Sequence, residues 1–236
     1  MTLWYKAWLE TRMRFAIALL LCVAFCSELM ISLPRLGSGK VDLVGLHGVH
    51  YALVFVWILG VALLMMGGLL SERANGSSSF TLSLPVSRVR LMAVRAVVGF
   101  IESIGLAVAP WIAMLILAGP GGEARRYVVQ AGWQVFLLVV GGSVLLTIAL
   151  LLSVLIEGEY TAPIASLGII ILLAYTFSGP DFVAYSPVSF MTGLRYFNRL
   201  TGTLAGAIPW LPALAFIAGA LCLFAVSVKV IEHRDF

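Results

Sequence analysis

Apolar residues run through this chain in long blocks separated by short polar breaks. Six blocks approach the roughly 20 residues that an α-helix needs to cross a hydrocarbon core: Phe15–Leu33, Tyr51–Leu70, Val94–Leu117, Trp133–Leu155, Thr161–Phe177 and Leu211–Val230. The fifth is the shortest and sits at the lower limit for a span. The pattern predicts an all-α integral membrane fold of six helices in one domain covering residues 1–236. No internal repeat or linker marks off a second unit.

The polar breaks carry the topology. An even number of spans puts both termini on one side. If that side is the cytosol, it holds Lys6, Arg12, Arg14, Arg73, Arg88, Arg90, Arg95, Lys229 and Arg234. The opposite side holds Arg35, Lys40, Arg125, Arg126, Arg195 and Arg199. The excess of basic residues favours cytosolic termini in a multi-pass protein. Residues 1–14 place Trp4, Tyr5 and Trp8 beside Lys6, Arg12 and Arg14, the composition of a helix in the headgroup region that leads into the first span. Glu157-Gly158-Glu159 forms a tight cytosolic turn. Residues 178–209 form the longest outer connection, and Phe182, Tyr185, Phe190, Tyr196, Phe197 and Leu200 make it too apolar for a free loop. It is expected to dip back toward the bilayer as short helices shielded by protein, because lipid cannot satisfy exposed backbone.

Composition fixes the solvent. Hydrophobic residues make up 61% of the 236 positions and charged residues 11%, with a mean hydropathy of +1.06. A soluble domain of this size has too little interior to bury that much apolar surface. The formal charge of +4 is spread over several loops, which argues against nucleic acid as a partner. Cys22, Cys26 and Cys222 all lie in apolar runs and read as small hydrophobes, with neither disulfide nor zinc spacing. No small-residue cleavage site follows the first apolar run, so a cleaved signal is not expected.

The informative polar segment is residues 71–90. Asn75-Gly76 suits a helix stop, since glycine accepts positive φ and asparagine nearly does. Ser77, Ser78 and Ser79 can each cap a short following helix. Phe80, Leu82 and Leu84 supply apolar contacts, and Pro85 ends the element. Ser87 is placed to cap the third membrane helix, with Arg88, Arg90 and Arg95 near anionic headgroups. From mechanics alone this is either a docking element or an ordinary capped loop.

The run from Glu72 through Gly76-Ser77-Ser78-Ser79-Phe80-Thr81-Leu82-Ser83-Leu84-Pro85-Val86-Ser87-Arg88 resembles the loop between helices two and three of type-2 ATP-binding-cassette permeases, bacterial export-type subunits with six membrane helices. Trp8-Leu9-Glu10-Thr11-Arg12-Met13-Arg14-Phe15 is similar to that family's amphipathic lead-in. Tyr185-Ser186-Pro187 is similar to the Ser-Pro before its last span, and Glu232-His233-Arg234-Asp235-Phe236 to its acidic-Xaa-Arg-Asp-Phe ending. The layout agrees along the whole chain, but the resemblance is specific only in the loop and the tail. It implies that the loop is a coupling helix docked on a separate ATPase subunit. Phe80, Leu82 and Leu84 would then be apolar anchors, with Glu72, Gly76, Ser77, Pro85 and Arg88 as the polar contacts and turn residues around them. It also implies a bacterial inner-membrane location, two ATPase copies per complex, and a second permease copy or similar subunit. The wall of the pathway would be formed by the first, second and fifth spans. This chain lacks a phosphate loop; its Gly39-Lys40 is followed by Val41 and has no upstream glycine. It would bind no cofactor itself, and ATP and magnesium would belong to the partner.

Few residues offer chemistry of their own. Glu102 is expected about 12 Å into the third helix, counted from Val94 at 1.5 Å per residue. Arg95 lies two turns before it on the same face. A carboxyl group there serves either a cavity or a neighbouring hydroxyl or arginine. Glu28, near the outer end of the first span, reads as an interfacial partner of Arg35 and Lys40. His47 and His50 lack a convincing third metal ligand, although Asp42 is close in sequence. Met65-Met66 and Cys22/Cys26 read as packing, and Gly67-Gly68 and Gly141-Gly142 allow tight packing or bending. No catalytic triad or zinc-protease motif is present.

Three functions compete. One is a permease exporting a lipophilic, amphiphilic or peptide-like cargo. Another is a non-transporting membrane anchor that passes force from an ATPase to an outer partner through residues 178–209. The third is an integral-membrane enzyme, which would have to draw on Glu28, Glu102, His47 and His50 at differing depths.

Overall fold

The computed structural model describes residues 2–32, 43–65, 87–120, 123–156, 161–176, 186–193, 195–198, 206 and 208–233. Every regular element among them is helical: α1 (Thr2–Ser32), α2 (Leu43–Leu64), α3 (Arg88–Leu117), α4 (Glu123–Gln130), α5 (Gly132–Leu155), α6 (Thr161–Thr176), α7 (Pro187–Thr192) and α8 (Trp210–His233). Helix is the expected outcome for apolar runs in lipid, where each backbone amide must find its partner within the segment.

Among the described residues, four helical stretches are long and apolar enough to cross a membrane: Leu3–Ser32, Val89–Leu117, Ala124–Leu155 and Trp210–His233. Two shorter apolar stretches, Gly48–Leu64 and Pro163–Thr176, fall where the second and fifth spans are expected. The lead-in and first span form one unbroken 31-residue helix. α3 starts at Arg88, well before the apolar block proper. Ahead of α5 stands α4, a short polar helix that the apolar pattern did not mark. The two join through Ala131, whose amide donates to Tyr127 O at 2.8 Å and whose carbonyl accepts from Val135 N at 3.1 Å.

α5 forms the centre. Buried residues fill 67% of its apolar window, against 17% in α1 and in α8. It packs against α2, α3, α4, α6, α7 and α8, while α1 leans chiefly on α3 and α2. Residue pairings set the directions. Thr11 meets Glu102 and Phe15 meets Gly105, so α1 and α3 are parallel. Trp111 meets Gly132 while the Ala93–Phe100 stretch lies beside Val140–Leu150, so α3 and α5 are antiparallel. Phe136 meets Trp210, and further along Val140–Leu150 lies beside Ile217–Phe224, so α5 and α8 are parallel. The start of α1, the start of α3 and the end of α8 therefore share one end of the bundle.

Trp57 ties α2 to both neighbours. Its ring is fully buried, its Nε1–H donates to Ser103 O of α3 at 2.8 Å, and its six-membered edge rests on Gly142 of α5. Trp111 repeats the device, donating to Val128 O at 2.8 Å and joining α3 to α4. An indole N–H in an apolar interior needs such an acceptor. The short helix α7 also packs into the bundle. Ser186 caps α7 by accepting from Ser189 N at 3.3 Å, Pro187 takes the first turn, and Gly193 closes it at φ 66. Phe190 and Met191 are buried against Gly141.

Candidate functional site

The residues expected to couple to a partner, Glu72, Gly76, Ser77, Phe80, Leu82, Leu84 and Pro85, lie outside the described residues, as does the Glu157–Glu159 turn. What can be described is the frame around them. Trp57 meets Gly142 while Val61 and Ala62 lie beside Leu145 and Ala149, so α2 is parallel to α5 and runs toward the end of the bundle at which α3 begins; Met65 N still bonds Val61 O at 3.1 Å. On the far side Ser87, in extended backbone at φ −63 and ψ 140, caps α3 as its sequence predicts. Its hydroxyl accepts from Arg90 N at 3.3 Å and its carbonyl from Leu91 N at 3.2 Å. Arg88 is the first residue of α3.

Glu102 has a defined environment. It is only 2% exposed and faces α1, where the Thr11 hydroxyl donates to Oε1. Oε2 is buried without a hydrogen-bond partner among the described residues. Thr11 is thus a neighbouring helix's hydroxyl, one of the partners the sequence allowed for Glu102. At the level of Thr11, α1 carries Arg12 and Arg14, so Glu102 faces a turn of α1 that also bears charge.

Arg95 shares the α1-facing side of α3, as the seven-residue spacing requires. It lines a crevice of about 20 Å³ with Leu3, Lys6, Ala7, Glu10, Leu91 and Val94, room for about one water. Within that crevice Lys6 Nζ lies 3.6 Å from Glu10 Oε1, an i,i+4 pair. Arg95 and Glu102 are thus placed on one face, each opposite a different turn of α1. Glu28 is exposed on α1, and its expected partners Arg35 and Lys40 lie outside the described residues. His50, Cys22 and Cys26 are buried and Cys222 is exposed. Among the described residues no group of three metal-ligating side chains converges.

Thr11 and Trp57 are the two positioning residues that local sequence reasoning passed over. A single tryptophan in mid-span is itself a sign, since its N–H must find an acceptor away from water. Thr11 offered no comparable sign, being one hydroxyl among the polar residues of the lead-in.

The chain matches no protein-family model, no curated protein and no solved structure. What its fold defines is a membrane protein that is all-α among the described residues, with four long apolar helices there.

Proposed function

We propose that the chain is the permease subunit of an ATP-driven exporter, with six membrane-crossing helices, both termini in the cytosol, and residues 71–90 as the element that docks on a separate ATPase. The observation that carries the proposal is the Glu72–Arg88 segment, polar between two apolar blocks and similar to the coupling loop of type-2 ATP-binding-cassette permeases. Three features of the bundle support it. α2 runs toward, and α3 starts from, the end that also holds the start of α1 and the end of α8. Ser87 terminates the segment with a side-chain cap, so a push on the segment would reach α3 directly. α3 in turn grips α1 through Glu102 and Thr11, and α2 through Trp57.

In this reading two copies, or one copy and a similar subunit, enclose the pathway with α1, α2 and α6 as its wall. α1 and α6 present exposed apolar side chains, among them Leu20, Phe25, Ile171, Leu172 and Tyr175. They suit a lipophilic, amphiphilic or peptide-like cargo. ATP hydrolysis takes place in the partner. The test is purification in mild detergent after co-expression with ATPases encoded beside it. A complex holding two ATPase chains is expected; a chain that elutes without any of them overturns the proposal.

A further inference from the structure

A groove of about 410 Å³ lies between α3, α5 and α8, within the range of pockets that hold small-molecule ligands. Its walls are Ala93, Val97 and Phe100 of α3, Leu146 and Leu150 of α5, and Leu221 of α8, with their neighbours on the same faces. The two hydroxyls that reach it are satisfied within their own helix. Ser143 Oγ donates to Val140 O at 2.6 Å, and Thr147 Oγ1 lies 3.0 Å from Ser143 O and 2.9 Å from Val144 O. The surface offered is therefore hydrocarbon.

Length and charge say what fits. From Val140 to Leu150 the groove follows α5 for about 15 Å, half of a hydrocarbon core of about 30 Å. A partner helix would continue through the whole core, whereas a single acyl chain of one leaflet ends at the midplane. Arg90 stands three, seven and ten residues before Ala93, Val97 and Phe100, on the same face of α3 and one turn nearer its start. It is exposed, and among the described residues no carboxylate pairs with it. A helical side chain leans toward the N-terminal end, which carries the guanidinium out of the groove and toward the membrane surface. The first turn of α3 adds the positive end of a helix dipole. At the same end Lys229 and Glu232 of α8 contribute no net charge. We propose that this groove is a binding site for one anionic phospholipid, its acyl chain lying along α5 and its headgroup phosphate on Arg90. Arg90 is the last residue of the 71–90 segment, but the groove lies in α3, α5 and α8 and the proposal does not depend on the exporter reading.

The test is native mass spectrometry of the purified chain equilibrated with phosphatidylglycerol and phosphatidylcholine of matched chains. Phosphatidylglycerol should be retained about fivefold over phosphatidylcholine, and Arg90→Ala should remove that preference, since one basic residue at a membrane surface contributes about that factor. Equal retention of both lipids, or a preference that survives Arg90→Ala, overturns the proposal. A second measurement needs no variant: photolysis of phosphatidylglycerol carrying a diazirine on its acyl chain. Adducts should concentrate in residues 93–100, 140–150 and 217–224. Adducts spread evenly onto the exposed faces of α1 and α6, or a second copy of the chain cross-linked at the groove, would also overturn it.

Discussion

A Cβ added at Gly142 would lie 2.0 Å from the Trp57 ring. The indole occupies the space that any side chain on that face of α5 would fill. In lipid no hydrophobic driving force brings helices together, so close approach through small residues, van der Waals packing and interhelical hydrogen bonds hold the bundle. Trp57 supplies both kinds of contact, and the fold at its centre depends on residue 142 remaining glycine.

Gly142→Ala is accordingly expected to destabilise the bundle by about 1–3 kcal/mol, the usual range for overpacking. Gly168 and Gly219 stand in helices with open space where a Cβ would go. Alanine there should be neutral or gain up to about 1 kcal/mol from helix propensity. Thermal unfolding in one detergent compares all three. Equal midpoints for Gly142→Ala and Gly219→Ala would show that the close approach is not needed.

Trp57→Phe separates ring packing from the hydrogen bond to Ser103 O. Losing the bond alone should cost about 1 kcal/mol, the scale of interhelical hydrogen bonds in membranes. Trp57→Ala also leaves a cavity and should cost about 3–5 kcal/mol. Denaturant titration of the two variants checks the ordering.

The Thr11–Glu102 pair gives a prediction of opposite signs. Thr11→Val leaves a buried carboxyl group with neither oxygen bonded among the described residues, at a cost of about 1–3 kcal/mol. Adding Glu102→Leu should recover most of that loss, because removing both polar partners avoids an unsatisfied group. A double variant no more stable than Thr11→Val alone would mean that Glu102 has a further partner to be found.

For the segment that holds α7, expected on the outer side, Phe190→Ala should release α7 from Gly141, at a cost of about 3–5 kcal/mol. Ser186→Ala removes only the cap and should cost about 1 kcal/mol. Limited proteolysis of intact vesicles or spheroplasts reads the release as new cleavage near residues 186–193. Unchanged protection in Phe190→Ala would show that other contacts hold the segment.

Hydropathy alone located the long helices, because a run of apolar residues in lipid has one satisfied backbone conformation. The cap at Ser87 was legible for a similar reason: it is decided within a few residues of chain. The start of α7 at Ser186-Pro187 obeys the same local rule but was not read from the sequence. Contacts between distant residues were not legible. Thr11 and Glu102 are 91 positions apart, and no local pattern announces their pairing. The same holds for Gly142 under Trp57, for the turn of α1 that Glu102 faces, and for the groove between three helices. α4 was missed because eight residues with a polar face leave no apolar run.

The exporter reading rests on the 71–90 segment and is best tested there. Phe80→Asp and Leu84→Asp place a charge among the proposed apolar anchors and should leave membrane insertion unchanged. The measurement is the amount of ATPase subunit that co-elutes with each variant, together with the ATP hydrolysis of the reconstituted complex. Loss of co-elution, with normal amounts of chain in the membrane, is the expected result. ATPase association at the unsubstituted level in both variants would contradict the assignment of residues 71–90 as the coupling element.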